Sequence, residues 1–227
     1  MVVYGKRVFH HILQKHPIIV KKVYLQKEID KESFARLREL GVEVVRIDPK
    51  KAQALARGGN HQGVLLEIEE FSFSSLDEVK EGEFLVLLYG LTDVGNIGSI
   101  VRSAYALGAD GVIVSGVHSL AMEGVIRRSS GAALDIPIVL RPNALDVLKE
   151  LKDVGFQLFC ADMDGVDVRK KRFHGKRAII LGSEGEGVPK KIKERSDETL
   201  TIVMERPFDS LNVSAAAAIF IDRMRDE

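Results

Sequence analysis

Two periodicities alternate along the first 68 residues of the chain. Stretches rich in β-branched residues predict strands, and stretches with apolar residues three and four positions apart predict amphipathic helices. The predicted strands span residues 18–25, 42–47 and 64–68. The predicted helices span residues 5–13, 31–40 and 49–56, the last with Asp48 as its N-cap and Pro49 in its first turn. Together they predict a small α/β unit.

Periodicity fades after Glu69, and serines, Asp77 and Gly82 suggest a linker that ends near residue 83. A continuous apolar run, residues 84–89, then predicts a strand buried on both faces of a parallel sheet. Further strands are predicted over residues 111–114, 136–140, 157–161, 178–181 and 200–204. Helices are predicted over residues 95–107, 122–128, 144–154 and 189–195 and from Asn212 onwards. We therefore expect two domains, residues 1–70 and 84–227, joined by the linker 71–83, the second with a mostly parallel sheet covered on both sides.

The composition limits the class of protein. Hydrophobic residues make up 45% of the chain and charged residues 29%, as in soluble globular proteins. No apolar run reaches the ~18 residues of a membrane span, and residues 1–7 lack the apolar core of a signal peptide. We therefore expect a cytoplasmic protein with no membrane partner. The single cysteine, Cys160, forms no internal disulfide and lies in an apolar run typical of a buried strand.

The charges are unevenly divided, although the formal net charge is zero. Residues 1–76 carry 13 lysines and arginines against 9 aspartates and glutamates, a net charge of +4, so residues 77–227 carry 20 against 24, a net charge of −4. A basic front part is compatible with binding of a polyanion. A chance fluctuation explains an imbalance of this size equally well.

Two polar, glycine-rich loops follow predicted strands of the second part. In the first loop, Asn96 and Arg102 lie nearly two helical turns apart, so only a large substrate or a neighbouring subunit would contact both. In the second, residues 181–187, three glycines permit close approach of the backbone to a flat ligand, and Glu184 is a fixed charge among them. Ligands of parallel sheets bind at such strand ends.

A third loop, residues 202–214, leads into the last predicted helix. Ser210, Asn212 and Ser214 stand at the entry of that helix, whose first backbone N–H groups have no partner and favour an electron-rich group. Taken alone, this loop is most simply an ordinary N-cap. Known nucleotide-binding codes do not fit, because the chain has no glycine-lysine-serine/threonine run and the glycine spacing in 182–187 is not the Rossmann fingerprint.

The three loops together resemble the motifs of one enzyme family. Motifs of the SpoU/TrmH family of RNA 2′-O-methyltransferases are matched by Asn96-x-Gly98-x-x-x-Arg102-x-Ala104, by Gly182-Ser183-Glu184-Gly185-x-Gly187 and by Ser210-Leu211-Asn212-Val213-Ser214. In the front part, Tyr4-Gly5-x-x-x-Val8 and His61-Gln62-Gly63-Val64 are similar to the substrate-binding domain of the subgroup that methylates a guanosine of 23S ribosomal RNA. The chain departs from the family where Val94 and Val203 replace the usual prolines.

The resemblance implies a fold and a cofactor. The fold class is α/β: a small N-terminal α/β RNA-binding domain and a C-terminal α/β methyltransferase domain with a mostly parallel sheet and a deep trefoil knot. Members of the family bind S-adenosylmethionine in a bent conformation and work as homodimers. Carried over to this chain, the cofactor-binding residues are Leu181, Gly182, Ser183, Ile202, Met204 and Leu211.

The implied reaction is methyl transfer to a ribose 2′-hydroxyl, which requires alignment of oxygen, carbon and sulfur and loss of the hydroxyl proton. No metal is needed, because the leaving group departs as a neutral thioether. The resemblance implies that Arg102 serves the partner subunit's site and is the base that deprotonates the hydroxyl. Because a guanidinium normally stays charged in proteins, we favour the alternative hypothesis that Arg102 stabilises the developing alkoxide and a neighbouring phosphate. The other implied catalytic residues are Asn96, Glu184, Ser210 and Asn212. Without the joint pattern, these four would be a turn residue, a solvated charge and two caps.

In the front part the resemblance implies RNA binding, for which the candidates are Lys6, Arg7, His61 and Gln62. The loop 58–63 fits a domain that reads the shape of RNA through its backbone and a splayed loop. His61 is a candidate for stacking on a base, although a loop histidine is more often hydrogen-bonded locally. The basic run 169–172 is a further candidate for phosphate contact, although such runs are usually solvated.

Three other functions stay open on the sequence. A transfer-RNA 2′-O-methyltransferase keeps the chemistry, but such relatives tend to lack the front domain. A catalytically inactive, RNA-binding ribosome-assembly factor is disfavoured because the polar motif residues are retained. An α/β nucleotide-binding protein without RNA is disfavoured because the phosphate-binding codes are missing.

Overall fold

The structure, a computed structural model, describes residues 1–183, 185–206 and 208–225. Its helices are α1 (Lys6–Lys15), α2 (Lys31–Glu39), α3 (Pro49–Leu55), α4 (Leu76–Lys80), α5 (Val94–Ala106), α6 (Met122–Arg128), α7 (Ala144–Asp153), α8 (Lys190–Lys193) and α9 (Val213–Met224). Its strands are β1 (Val2–Tyr4), β2 (Val20–Leu25), β3 (Glu43–Arg46), β4 (Val64–Ile68), β5 (Phe84–Tyr89), β6 (Gly111–Ser115), β7 (Ile138–Leu140), β8 (Gln157–Asp167), β9 (Arg177–Leu181) and β10 (Glu198–Thr201). Among these, no helix is long and apolar enough to cross a membrane.

The chain forms two compact units. Unit 1 consists of Met1–Ser72 and Ala121–Leu134, and unit 2 of Phe73–Leu120 and Asp135–Glu227. This division differs from the expected domains in the segment Ala121–Leu134, which lies within 84–227 but packs in unit 1, where α6 contacts β1. The expected linker is also partly ordered, because Ser75 and Glu78 form a capping box that starts α4.

Unit 1 is built on a four-stranded sheet with the order β1-β4-β2-β3. β4 runs antiparallel to both β1 and β2, and β2 runs parallel to β3. On one side α3 packs through Ala52 and Ala56 against Tyr4 and Leu65. On the other, α1 buries an apolar stripe that begins with Val8 and contacts β1, β4 and α2. This confirms the small α/β unit, to which the structure adds β1.

The predicted starts of α2 and α3 are confirmed by their caps. The carboxylate of Asp30 accepts a hydrogen bond from the Ser33 backbone N–H at 2.8 Å, and that of Asp48 accepts one from Lys51 N–H at 2.9 Å. Each satisfies a backbone donor that has no partner within its helix. Gly41, with φ of 66°, ends the stretch after α2, as a C′ residue does.

Unit 2 contains a six-stranded sheet with the order β10-β8-β9-β5-β6-β7, in which every neighbouring pair is parallel. α4, α7 and α8 pack on one face, with alternate residues of β5 and β9 such as Leu87 and Ile180. The intervening residues Leu88 and Leu181 point to the opposite face by strand alternation and are buried as well. α9 contacts α5 and β9. The expected parallel sheet with both faces covered is confirmed.

Two strands of unit 2 differ from prediction where they approach the sheet edge. β8 was expected to end at residue 161 but continues to Asp167, with a bulge between Cys160, paired with Thr199, and Val166, paired with Leu200. β10 was expected to reach residue 204 but ends at Thr201. The residues in the bulge of β8, and those that follow β10, do not pair with the neighbouring strand. Such unpaired backbone near the carboxyl ends of parallel strands is where ligand sites form.

Candidate active site

A cavity of about 400 Å³ opens at the bulge of β8 and the carboxyl ends of β9 and β10 in unit 2. This volume lies within the roughly 300–1,000 Å³ of small-molecule sites. The described residues that line it are Ala161, Asp162, Met163, Leu181, Gly182, Ser183, Gly185, Glu186, Gly187, Lys193, Thr201, Ile202, Met204, Asp209, Ser210, Leu211, Val213, Ala216 and Phe220. All six residues expected to bind the cofactor, and Ser210, are among them.

The turn after β9 brings backbone, rather than side chains, to the cavity. Gly187 N–H donates to the Ser183 carbonyl at 2.9 Å and closes the turn. A Cβ atom on Gly182 would lie 2.1 Å from the Gly187 carbonyl carbon and 2.2 Å from its oxygen, so only glycine fits at this position. The close packing of Gly182 against Gly187 therefore requires glycine within the turn that lines the cavity. Glu184, the expected fixed charge of this loop, lies outside the described residues.

The side chains of Asn96 and Asn212 meet beside the cavity. The Asn212 amide donates from Nδ2 to Oδ1 of Asn96 at 3.1 Å. Asn212 is also the N-cap of α9, and its Oδ1 accepts from the backbone N–H of Ser214 at 2.9 Å and from its hydroxyl at 2.6 Å. Asp93 caps α5 in the same way, since its carboxylate accepts from Asn96 N–H at 2.7 Å. The positive ends of two helices thus lie next to each other.

Asn212 therefore caps α9, as the sequence of this loop alone predicts, and it also contacts Asn96. Leu211 and Val213, on either side of Asn212, line the cavity. The asparagine pair is thus connected through one residue to the wall of the cavity. Backbone amides at two helix starts, with an amide pair between them, favour a group that carries or develops negative charge.

Arg102 lies apart from this cluster. It is exposed on α5, six residues after Asn96, which corresponds to about 9 Å along the helix axis. Among the described residues, it neither lines the cavity nor forms an ion pair. Arg102 is thus exposed to solvent on α5 rather than part of the cavity lining.

Asp162 and Lys193 are cavity residues that the sequence did not single out. Their side chains form an ion pair, with Asp162 in the bulge of β8 and Lys193 at the end of α8. The signal that would have found Asp162 is its position after an apolar strand, the rule that located the other loops. Close by, burial raises the pKa of the Cys160 thiol to about 11, so it stays protonated and is not a nucleophile.

Cavity walls and charges fit S-adenosylmethionine. The apolar side chains of Leu181, Ile202 and Phe220 suit its adenosyl part, and main-chain groups of the glycine turn suit the polar edge of adenine. The carboxylate of Asp209 suits its positively charged groups, whereas that of Asp162 is paired with Lys193. A wider groove of about 850 Å³ lies between α1 and α2, and its lining among the described residues includes the charged side chains Asp30, Glu32, Arg36 and Glu39 but no strand residue.

The candidates for RNA binding are spread over both units. Lys6, Arg7 and Gln62 are exposed, and Gln62 Oε1 accepts from the backbone N–H of Lys6 at 2.9 Å. His61 is half-buried, and its Nδ1 accepts from Gly63 N–H at 3.1 Å, a local bond of the kind expected for a loop histidine.

The basic run 169–172 is a weaker candidate than the sequence suggests. Arg169 makes a forked contact with Asp167, with Nε 3.1 Å from Oδ1 and Nη2 3.0 Å from Oδ2. This contact lowers the pKa of the Asp167 carboxyl. Lys171 forms an ion pair with Glu198. Two of the four cations therefore have partners within the fold.

Comparisons with known proteins agree on one family. The model described as "SpoU rRNA Methylase family" matches residues 83–222, and the model described as "RNA 2'-O ribose methyltransferase substrate binding" matches residues 2–74. A Staphylococcus haemolyticus protein named "Putative TrmH family tRNA/rRNA methyltransferase" is 31% identical over 214 residues, which cover 89% of this chain and 86% of the relative.

Two solved structures show how far the likeness extends. The SpoU methyltransferase AviRb from Streptomyces viridochromogenes, in complex with the cofactor AdoMet, is 27% identical, with a TM-score of 0.81 over 98% of this chain and 88% of its own. The TrmH/SpoU tRNA modifying enzyme of A. aeolicus is 25% identical, with a TM-score of 0.56 over 65% of this chain and 78% of its own.

Proposed function

Since the chain belongs to the SpoU family of RNA methyltransferases, whose methyl donor is S-adenosylmethionine, we propose that it methylates the 2′-hydroxyl of a guanosine in 23S ribosomal RNA. The observation that supports this most is the joint geometry of the three motif loops. Two of them line one cavity, and the third, through Asn96, contacts Asn212 beside it.

The cavity at the bulge of β8 and the ends of β9 and β10 is the proposed cofactor site. Bound there, S-adenosylmethionine supplies a methyl group on a positively charged sulfur, which leaves as a neutral thioether. Leu181 and Met204 would form apolar walls, and main-chain groups of Gly182, Ile202 and Leu211 would bind the adenine, with Ser183 beside them in the cavity lining. The backbone of Gly187 occupies the space that a side chain at residue 182 would need, so this turn requires glycine at residue 182.

The catalytic residues that we propose are Asn96, Arg102, Glu184, Ser210 and Asn212. Asn96 and Asn212 hold two helix starts together, and the adjoining Ser210 lines the cavity, where it orients the ribose. Arg102 donates charge-assisted hydrogen bonds to the developing alkoxide and to a neighbouring phosphate. A guanidinium is always charged, so this role suits it better than that of a base.

We propose that the enzyme is a homodimer in which Arg102 serves the site of the partner subunit. Its exposed position on α5, about 9 Å along the axis from Asn96, supports this. The exposed side chains of Tyr105 on α5 and Ile219 on α9 add apolar surface to the same pair of contacting helices. Such a face suits an interface with a second copy of the chain.

Residues 1–70 act, in this proposal, as the domain that binds RNA, residues 71–83 connect it, and residues 84–227 carry out catalysis. The match of residues 2–74 to a substrate-binding model supports the first role. The A. aeolicus tRNA enzyme leaves about a third of this chain without a counterpart, whereas the AdoMet-bound rRNA methyltransferase from Sinorhizobium meliloti covers 98% of it. This difference favours ribosomal RNA over transfer RNA.

The test is methyl transfer from labelled S-adenosylmethionine to unmodified ribosomal and transfer RNA, followed by mapping of the modified nucleotide. We expect a signal at one 23S guanosine, a loss of at least about 100-fold in Arg102→Ala, and unchanged cofactor binding. Arg102→Lys keeps the charge without the fork and is the matched control, expected to stay well below wild type.

Other outcomes assign other functions. A signal on transfer RNA alone would overturn the proposed substrate and keep the chemistry. Cofactor binding without transfer to naked RNA or to assembly intermediates would identify an inactive RNA-binding factor and overturn the proposed activity. Near-full activity of Arg102→Lys would contradict the role of a forked guanidinium.

A further inference from the structure

The loop that joins α3 to β4, residues 57–63, lies among cationic side chains of unit 1. This unit carries 15 lysines and arginines against 10 aspartates and glutamates, a net charge of +5. Lys6 contacts the loop through its backbone bond to Gln62, and the side chain of Lys27 lies beside Gly63. Arg57 begins the loop and is exposed. Cations thus approach the loop from α1, from the end of β2 and from the loop itself.

α6 adds two further arginines to unit 1, one of which lies beside the loop. The Arg127 guanidinium stacks on the ring of Tyr4, 4.6 Å from its centroid. Tyr4 in turn touches the loop, because a Cβ atom on Gly59 would lie 1.8 Å from the Tyr4 hydroxyl oxygen. Arg128 is exposed next to Arg127. Burial and the charge of Arg128 lower the pKa of Arg127, as expected where cations are held close together.

Few carboxylates neutralise this cluster. Glu123 of α6 pairs with Arg57 at 3.3 Å. Among the described residues, Lys6, Arg7, Lys27 and Arg128 form no ion pair. Like charges gathered without partners cost free energy in the free protein, and this cost is relieved when a polyanion binds. The charge pattern therefore favours an anionic partner with several charges.

The loop is held in an uncommon conformation. Arg57 and Gln62, at its two ends, have φ of 48° and 56°, in the left-handed region that side chains other than glycine seldom adopt. Such conformations persist only where the surroundings fix them, and they concentrate at binding sites. His61 lies in the same loop, where its Nδ1 accepts from Gly63 N–H.

We propose that this loop and the cations around it, namely Lys6, Lys27, Arg57, Arg127 and Arg128, bind the phosphate backbone of the RNA substrate. The proposal rests on the proposed function and adds to it a contribution from α6, which belongs by sequence to the methyltransferase domain. Several cations lie apart from one another on this surface. A chain of backbone phosphates can contact many of them at once, whereas a single small anion cannot. Binding there releases counterions, so affinity falls steeply with salt.

The test is filter binding of an unmodified 23S ribosomal RNA transcript over a series of KCl concentrations. Lys27→Ala and Arg128→Ala remove exposed cations of the cluster. Arg38→Ala, an exposed arginine of α2 in the groove beside Phe34 and Arg46, is the matched control. We expect each cluster variant to weaken binding about 3- to 10-fold and to reduce the salt slope by about one, while Arg38→Ala changes neither.

Two further measurements separate the possible failures. Arg128→Lys keeps the charge and is expected to restore most of the affinity, and binding of S-adenosylmethionine is expected to stay within about twofold of wild type in every variant. Cluster variants that bind RNA like Arg38→Ala, with wild-type methylation intact, would overturn this surface and leave the proposed function standing. Wild-type protein that binds RNA at this surface but methylates none would overturn the proposed function instead.

Discussion

At the scale of single residues, the turn after β9 depends on Gly182 for steric reasons. We expect Gly182→Ala to push the Gly187 backbone out of place, to weaken binding of S-adenosylmethionine at least about tenfold and to lower the free energy of unfolding by about 2 kcal/mol. Calorimetric titration and thermal unfolding measure the two effects. Gly185→Ala is the control in the same turn: its Cβ meets no atom within 4 Å, so only the strain of φ 92° applies. Equal cofactor affinity in wild type and Gly182→Ala would refute this account.

The sequence predicted most of the residues that line the cavity, but it did not predict which of their side chains pair with each other. Leu181, Ile202 and Leu211 were expected in the cofactor site from their places in the motif loops, and each lines the cavity. The ion pair of Asp162 with Lys193 was not expected, because it joins a bulge to a helix end that lie 31 residues apart in the chain. Sequence spacing identifies strand ends, whereas such pairing depends on how the sheet is ordered.

At the scale of elements, periodicity located most helices and strands but failed where function alters them. Residues 202–204 continue the apolar pattern of β10, yet β10 ends at Thr201 because Ile202 and Met204 turn to line the cavity. β8 continues past residue 161 although its pattern turns polar, since the bulge lets it rejoin β10 at Val166. α4 had a sequence signal, the Ser75 and Glu78 capping box, within the stretch expected to be a linker.

Asn212 links two elements, and substitutions separate its two roles. Asn212→Ser keeps a cap for α9 but is too short to reach Asn96, so we expect stability within about 0.5 kcal/mol of wild type and a clear loss of methyl transfer. Asn212→Ala removes the cap as well and is expected to lower the free energy of unfolding by about 1 kcal/mol. Thermal unfolding and turnover, measured side by side, test this. Full activity of Asn212→Ser would show that the contact with Asn96 does not matter for catalysis.

At the scale of the whole molecule, the sequence did not predict that the chain returns to unit 1 over Ala121–Leu134. The pattern of Met122, Val125 and Ile126 predicts that α6 has an apolar face, and that face is buried. Periodicity gives no information on which sheet such a face covers, so the segment was assigned to the domain that surrounds it in sequence. In the structure it packs in unit 1, where it places Arg127 on Tyr4.

If the protein is a dimer with shared active sites, as we propose, two inactive variants can complement each other. If Arg102 acts in the partner's site, a subunit with Arg102→Ala and a subunit with Asn212→Ser, each inactive alone, form one complete site when they pair. Random pairing of equal amounts then restores about a quarter of wild-type activity, because half of the dimers are mixed and each has one complete site of two. The measurement is methyl transfer after the two variants are unfolded and refolded together, with each variant refolded alone as the control. Activity that stays at the level of the separate variants would place Arg102 in the site of its own subunit, because then neither site of a mixed dimer is complete.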